Sequence, residues 1–451
     1  MSLSASSIRD SINGRVIEPG DSGYDEARTI FLGGFDRKPA VIVRASDTSD
    51  VARVIELARE SGLPFSVRSG GHSGAAHCTN NGGIVLDLHD MKAIEIDPQA
   101  RTAWAQTGLT AGEYSAAVGK HGLATGFGDT GSVGIGGITL GGGIGYLTRK
   151  HGMTIDSVIG AEIVTAGGNV LQIDPTSHPD LFWAIRGGGG NFGVVTRFQY
   201  RLHPVDQVVG GMLMLPASVD VIEKTMEAAA DAPEELSAII NVMAAPPMPF
   251  IPAASHGQLV VMILMCYAGD VEAGTRAVAP FRSVATPIVD MVRPIKYPEL
   301  FPPDDHSYHP LAVARTMFID RFDRSVAERI LEYLQRSDAS MRVAQLRVLG
   351  GAMARVPADA TAFAHRDARI LVNVAAFYTG AEDKPIREAW VKEFSSALHQ
   401  GNDGVYVSFL GDEGRERVRA AYPGATWTRL AAIKQQYDPS NLFRLNHNVA
   451  S

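Results

Sequence analysis

Cysteine is almost absent: Cys78 and Cys266 are the only two in a chain of 451 residues. Two thiols are too few for a disulfide framework or a cysteine-held metal centre, so no metal site is expected. Long apolar runs are missing too. No uncharged stretch is long enough to span a bilayer, and residues 1–13, rich in serine and broken by Arg9 and Asp10, hold no apolar core of the length a secretory signal needs. Positive charge is in deficit, with 41 Lys and Arg against 49 Asp and Glu and a formal net charge of −8. That balance disfavours nucleic acid and anionic membrane surfaces, both of which reward clustered cations. The expectation is a soluble, cytoplasmic monomer or homodimer acting on a small molecule, too long for a single core and therefore of two domains.

Glycine is what the chain has in quantity, 47 residues in all, and three stretches concentrate it. The first is Ser66-Val-Arg68-Ser69-Gly70-Gly71-His72-Ser73-Gly74. Adjacent glycines have no Cβ and let backbone N–H groups crowd round an anion, and His72 projects from the turn as a candidate nucleophile. Upstream, strand-like residues 40–44 and 64–67 flank residues 49–60, where Val51, Val54, Ile55 and Ala58 recur at helical spacing. This is a βαβ opening that delivers the turn where an α/β sheet holds its ligand. The spacing is not Gly-x-Gly-x-x-Gly, so no Rossmann domain is implied.

The second stretch, residues 126–145, alternates glycine with Val133, Ile135, Ile138 and Leu140. A flexible linker would not do so, whereas a backbone lying flush against a flat or anionic partner would. In the third, residues 181–196, a glycine turn feeds a strand, with Asn191 stabilising the turn. Between these lie short strands at 84–88, 93–96 and 102–106, a capping-box helix start at Thr110 and Glu113 closed by Gly122, and a hairpin joining 161–166 to 170–173. Near Pro204 the character changes: strand runs at 258–267, 312–319, 344–349 and 370–378 alternate with amphipathic helices such as 325–336. That mixture argues an antiparallel sheet covered by helices.

The three glycine stretches, Arg149-Lys-His-Gly152, Asp156, Tyr422-Pro-Gly-Ala-Thr-Trp-Thr-Arg-Leu430 and Asn446-His-Asn448 together resemble the FAD-linked oxidases of the p-cresol methylhydroxylase/vanillyl-alcohol oxidase (PCMH/VAO) fold, in the berberine-bridge-enzyme-like branch. The resemblance is clear over residues 40–202 and 422–448. It implies a two-domain α+β flavoprotein: a discontinuous FAD-binding domain (1–204, completed by 405–451) and a substrate domain (205–404) with a central antiparallel sheet covered by helices. It also implies FAD bonded to His72, with Arg68, Ser69, Gly70, Gly71, Ser73 and Gly74 around the attachment. Thr130, Gly131, Ser132, Val133, Gly136, Gly137, Gly142, Gly143 and Ile144 would line the ring and pyrophosphate. Gly193, Val194 and Val195 would serve the adenine half, and Asn446 and Asn448 would join from the C-terminal return. Many members carry a second flavin-linking cysteine where this chain has Thr130, so one covalent bond is expected. Val133 matches a position where a small valine accompanies oxidases. Ile144 replaces the tyrosine of plant members and would leave an apolar wall beside the ring, suited to a hydrophobic, aromatic or heterocyclic substrate.

The implied reaction is hydride transfer from an alcohol or amine carbon to flavin N5, with reoxidation by dioxygen to hydrogen peroxide. The alternatives are a dehydrogenase using another acceptor, an oxidative-cyclisation enzyme, and a flavin-binding chain without turnover. A base must accept the departing O–H or N–H proton. Relatives put it on the central sheet, where this chain has Gln345, Arg347 and Leu349 and no carboxylate. Gln345 and Arg347 share one face by period-two spacing and are candidates for contact with substrate or flavin. Arg347 would favour an anionic group, or else be a plain surface-strand arginine. Tyr378 and Tyr422, the latter brought towards the flavin in relatives, are candidates for a phenol that guides the proton, or else core aromatics. His309 and His365 are secondary candidate bases.

Overall fold

The computed structural model describes residues 8–450, apart from 302, 304 and 306; residues 1–7 of the serine-rich leader lie outside it. The chain opens with the expected βαβ unit. Strands Val41–Arg44 and Phe65–Arg68 both pair in parallel with Ile84–Asp87, and Arg15–Ile17 adds an antiparallel edge. Helix Thr48–Ser61 starts where the Asp47 carboxylate accepts from the backbone N–H groups of Ser49 and Asp50, and ends at Gly62 in the left-handed region. Its buried residues Val51, Val54, Ile55 and Ala58 pack on the three parallel strands.

A second, antiparallel sheet follows, in the order Ile94–Asp97, Thr102–Gln106, Val194–Arg201, Val158–Val164, Val170–Ile173. Helix Ala111–Gly119 covers it, opened by the Thr110/Glu113 capping box. The glycine stretch 126–145 is not extended throughout: Ile135–Gly141 closes into a short helix begun by Gly134.

The third sheet has eight antiparallel strands. Leu259–Tyr267, Leu236–Ala244, Arg342–Val348, Ile370–Phe377 and Ala312–Ile319 follow one another from its middle to one edge, and Gln207–Pro216 flanks Leu259–Tyr267. Helices Val219–Asp231, Val271–Arg282, Arg324–Arg336 and Lys384–Leu398 lie on one face, against Ile240, Val242, Ala344, Leu346, Val372 and Val374. The alternate residues of those strands, among them Asn241, Gln345, Arg347 and Asn373, occupy the other face.

The large sheet and its helices meet the first domain through polar anchors. Arg149 donates to the carbonyls of Ala229, Ala232 and Leu236 at 3.3, 2.9 and 2.9 Å, and Arg366 forks onto Asp156 with two 2.8 Å bonds. The Arg149-Lys-His-Gly152 motif and Asp156 therefore join the two domains. Among the described residues no helix is long and apolar enough to cross a membrane.

Helices Arg415–Ala421 and Ala425–Tyr437 return to the first domain, where Tyr422, Leu430 and Ile433 share a core with Tyr114, Phe127 and Trp183. Lys434 fixes this return. Its buried ammonium donates to Asp438 at 2.6 Å, to the Asn191 carbonyl at 2.9 Å and to the Phe443 carbonyl at 3.0 Å. Replacing Lys434 by Met strands the Asp438 carboxylate in the core and should lower the unfolding free energy by about 3–5 kcal/mol. Denaturant titration checks this, and a loss under about 1 kcal/mol would mean the pair contributes no more than a surface one.

Candidate functional site

The site begins at the end of strand Phe65–Arg68. Gly70 has no room for a side chain, because a Cβ there would overlap the backbone nitrogen of Gly134, and a Cβ on Gly134 would overlap Gly70 in return. The first and second glycine stretches thus touch backbone to backbone. Ser69 Oγ donates to the Thr107 carbonyl at 2.5 Å, and Ala111 N–H to the Val133 carbonyl at 2.8 Å. Gly71 lies at φ +73, left-handed space that glycine enters without strain. Ser73 Oγ accepts from His77 N–H at 3.1 Å, and Gly74 faces the Leu410 carbonyl.

His72 is half-buried at the tip. Phe31 stacks on its ring with centroids 4.1 Å apart and planes 16° from parallel. Burial alone lowers the His72 pKa, to about 4, so the imidazole is neutral at ordinary pH. Arg68 has another task. Its buried guanidinium binds the carbonyls of Ala27, Arg28, Thr29 and Cys78, so it braces the loops behind the turn instead of facing an anion.

In the second stretch, Thr130 is exposed beside Asp129, Gly131 accepts from Gly112 N–H at 2.9 Å, and Ser132 lies against Gly70. Gly136 packs on Thr107 and Ser69, while Gly137 has no neighbour within 4 Å of a would-be Cβ. Gly142 and Gly143 have positive φ and pass beside Tyr406, whose hydroxyl accepts from the N–H groups of Gly143 at 2.8 Å and Ile144 at 3.3 Å. The Ile144 side chain does not form an open wall. It is buried with Met153, Phe318, Leu349, Phe363 and Tyr406 in the cluster that seals the two domains together.

The third stretch contributes backbone only. A Cβ on Gly193 would press on the Val164 carbonyl, and Val194 and Val195 point into separate cores. Asn191 stabilises the turn as expected, donating to the Gly188 carbonyl at 2.9 Å and accepting from Val449 N–H at 3.2 Å. Asn446 donates to the Gly190 carbonyl at 3.1 Å, whereas the Asn448 amide is engaged with Asn441 and Ala450.

On the sheet face, Arg347 is buried, which removes the surface-arginine alternative. It donates to Gln345 Oε1 at 2.8 Å, to the Ile144 carbonyl at 3.2 Å and to Asp129 at 2.9 Å. Its charge is matched by Asp129, so it is not a free receptor for an anion. Gln345 donates onward to Asn241 at 2.9 Å. Asn241, Gln345 and Asn373 stand opposite one another on three neighbouring strands, forming an amide belt. The Asn373 Oδ1 is buried with no partner among the described residues.

The other candidates have partners within the fold. Tyr422 is buried and donates to the Gly187 carbonyl at 3.2 Å, and burial pushes its phenol pKa up. Tyr378 packs against Gly34. His309 donates to the Ile30 carbonyl at 3.0 Å and His365 to the Ala420 carbonyl at 3.0 Å, which uses one ring nitrogen of each as a pin. Asp129, Asn241, Asn373, Tyr406 and Phe31 were not read from the sequence. Asp129 had a signal, being the only charged residue between Gly126 and Gly145. Tyr406 and Phe31 had none.

Replacing Arg347 by Met leaves Asp129 partly buried and unpaired and should cost about 3 kcal/mol of stability. Adding Asp129→Asn should return part of it in a double-mutant cycle. Additive losses in that cycle would mean the two side chains do not interact.

A family model described as FAD binding domain matches residues 39–174, and one described as Berberine and berberine like matches 405–450. The chain is 31% identical to (R)-6-hydroxynicotine oxidase of Paenarthrobacter nicotinovorans, over 97% of each chain. It is 30% identical to an FAD-linked oxidoreductase of Dictyostelium discoideum, over 91% of this chain and 88% of that one. The crystal structure of 6-hydroxy-D-nicotine oxidase from Arthrobacter nicotinovorans superposes with a TM-score of 0.87 at 29% identity, covering 100% and 99% of the two chains. The glycine turns, the discontinuous first domain and this similarity along the whole chain agree: the protein belongs to the berberine-bridge-enzyme-like branch of the FAD-linked oxidoreductases, on the PCMH/VAO-type fold.

Proposed function

We propose that this chain is an FAD-dependent oxidase that holds its flavin by a single bond to His72. Its substrate would be a small, uncharged and largely apolar molecule with an alcohol or amine carbon to oxidise. The observation that carries the reading is the state of His72: half-buried, neutral and stacked, with no hydrogen bond to its ring among the described residues. A neutral imidazole has the lone pair a nucleophile needs.

The surrounding residues fit FAD. Gly137 and Gly190 have open space where side chains would stand, and Asn446 Oδ1 is buried without a partner among the described residues. Thr130 offers no thiol, which supports one link and not two. The proposed FAD domain comprises 1–204 and 405–451 and the substrate domain 205–404, a division supported by Gln207–Pro216 as the first strand of the eight-stranded sheet.

When bound, FAD supplies a two-electron acceptor at N5 and, in an oxidase, passes those electrons to dioxygen as hydrogen peroxide. The chain's own residues supply the rest. Asn373 Oδ1 accepts a hydrogen bond from a substrate O–H or N–H, and Gln345, locked by Arg347 and Asn241, keeps the belt flat. Met243, Val343 and Ala375, paired across the strands one step along that face, give the apolar body its contact. Asp129 is the carboxylate tied to the belt, and Thr130 reaches its Oδ1 only at 3.4 Å. That oxygen is assigned the departing proton, while Arg347 holds Oδ2. Val133 leaves dioxygen a small side chain to pass.

Acid precipitation tests the link. Wild type should give a yellow pellet and His72→Ala a colourless one; a yellow wild-type supernatant would overturn the covalent bond. Dithionite-reduced wild-type protein mixed with aerated buffer should reoxidise quickly, and Val133→Leu more slowly. Reoxidation of wild type over minutes would point instead to an acceptor other than oxygen.

A further inference from the structure

We infer that Phe31 is a positioning residue for His72, holding its imidazole by stacking so that both ring nitrogens stay free to form the flavin bond. The inference rests on the reading of His72 as the attachment point. Four other histidines of this chain are held through nitrogen: His203 by Ser157 at 3.0 Å, His256 by the Ile251 carbonyl at 3.0 Å, and His309 and His365 by backbone carbonyls. Such a bond fixes a ring but occupies the atom that would react. Face-to-face contact with Phe31 orients the ring and occupies neither nitrogen.

Phe31 is itself immobilised from both domains. Its N–H donates to the Gly71 carbonyl at 3.2 Å, one residue before His72. From the substrate domain, His309 donates to the Ile30 carbonyl at 3.0 Å, Gly33 N–H bonds the Pro310 carbonyl at 3.0 Å, and Tyr308 meets the Phe31 edge at 6.3 Å. The backbone that carries the ring therefore cannot shift without breaking hydrogen bonds at both ends of its segment. Its sequence position, about forty residues before His72 and outside every glycine stretch, hides this role.

The linking step joins a ring nitrogen of His72 to the 8α-methyl carbon. The methyl loses one C–H proton and the imidazole its N–H proton. The two electrons left behind pass, with those protons, to dioxygen as hydrogen peroxide. A ring free to rotate reaches the required geometry less often, so loss of the stack slows this step without removing the nucleophile.

The test compares full-length wild type with Phe31→Leu, Phe31→Met and Phe31→Tyr, each produced with limited flavin and then supplied with FAD. Flavin fluorescence of the denatured band on a gel gives the covalent fraction against time, and absorbance of the native protein gives total bound flavin. Leu and Met keep an apolar side chain of similar bulk but have no flat face, and either suffices should the other fail to fold. Both should bind flavin yet link it between about two- and tenfold more slowly, the rate equivalent of one aromatic pair. Tyr keeps the ring and should match wild type. Linking at the wild-type rate in Leu or Met, or equal slowing in Tyr, overturns the inference. A wild-type band without fluorescence instead removes His72 as the attachment point, and this role with it.

Discussion

The contact between Gly70 and Gly134 is the constraint on which the site depends. Each occupies space that a Cβ of the other would need, so two turns from different sheets meet at their backbones. The Ser69–Thr107, Ala111–Val133 and Ile135–Leu109 bonds then tie the second glycine stretch to the antiparallel sheet. This crossing holds the turn that carries His72, at the end of the parallel sheet, against the start of helix Ile135–Gly141. Glycine costs about 0.5–1 kcal/mol per position in chain entropy, and here no other residue permits the approach.

The domains are joined by directed polar contacts as well as by apolar area. Arg149 meets three carbonyls at and just beyond the C-terminal end of helix Val219–Asp231, where unsatisfied acceptors and the negative end of the helix dipole favour a cation. Arg366 forks onto Asp156, and Arg347 bridges the strand Arg342–Val348 to Asp129. Such bonds fix register more narrowly than apolar packing does, because buried donors left unmatched are expensive. The buried cluster around Ile144 then excludes water from one end of the interface.

Much of this was legible in the sequence because glycine placement and strand periodicity are local signals. The βαβ opening, the capping box, the hairpin across residues 167–169 and four of the eight strands of the large sheet fall within a few residues of their expected positions, while strands such as Leu236–Ala244 were not read. Gln345 and Arg347 share a face as period two requires. What was hidden depends on contacts distant in sequence. Arg347 reads as an anion receptor or as a plain surface arginine until Asp129, more than two hundred residues away, is brought to its guanidinium. Tyr422 has the right chain position but is turned to Gly187, while Tyr406 reaches the backbone of Gly143 and Ile144. Arg68 lies beside the His72 turn yet faces backward into the loop carbonyls, a choice of rotamer that no motif records.

The electrostatics of the sheet face bear on what it can bind. Arg347 and Asp129 cancel each other at 2.9 Å, and the neighbouring belt is built from neutral amides. An ionised substrate would have to shed its hydration without meeting a free countercharge, at a cost of several kcal/mol. A neutral hydroxyl or amine loses far less and can donate a hydrogen bond to the Asn373 carbonyl oxygen, which has no partner among the described residues. For a basic amine the same argument selects the uncharged form, which is the one whose lone pair can assist departure of hydride from the adjacent carbon. In the proposed reaction the missing carboxylate on the strand is therefore consistent with turnover: one fixed pair and a row of amides would disfavour the protonated amine, and one Asp129 oxygen would remain for the proton released.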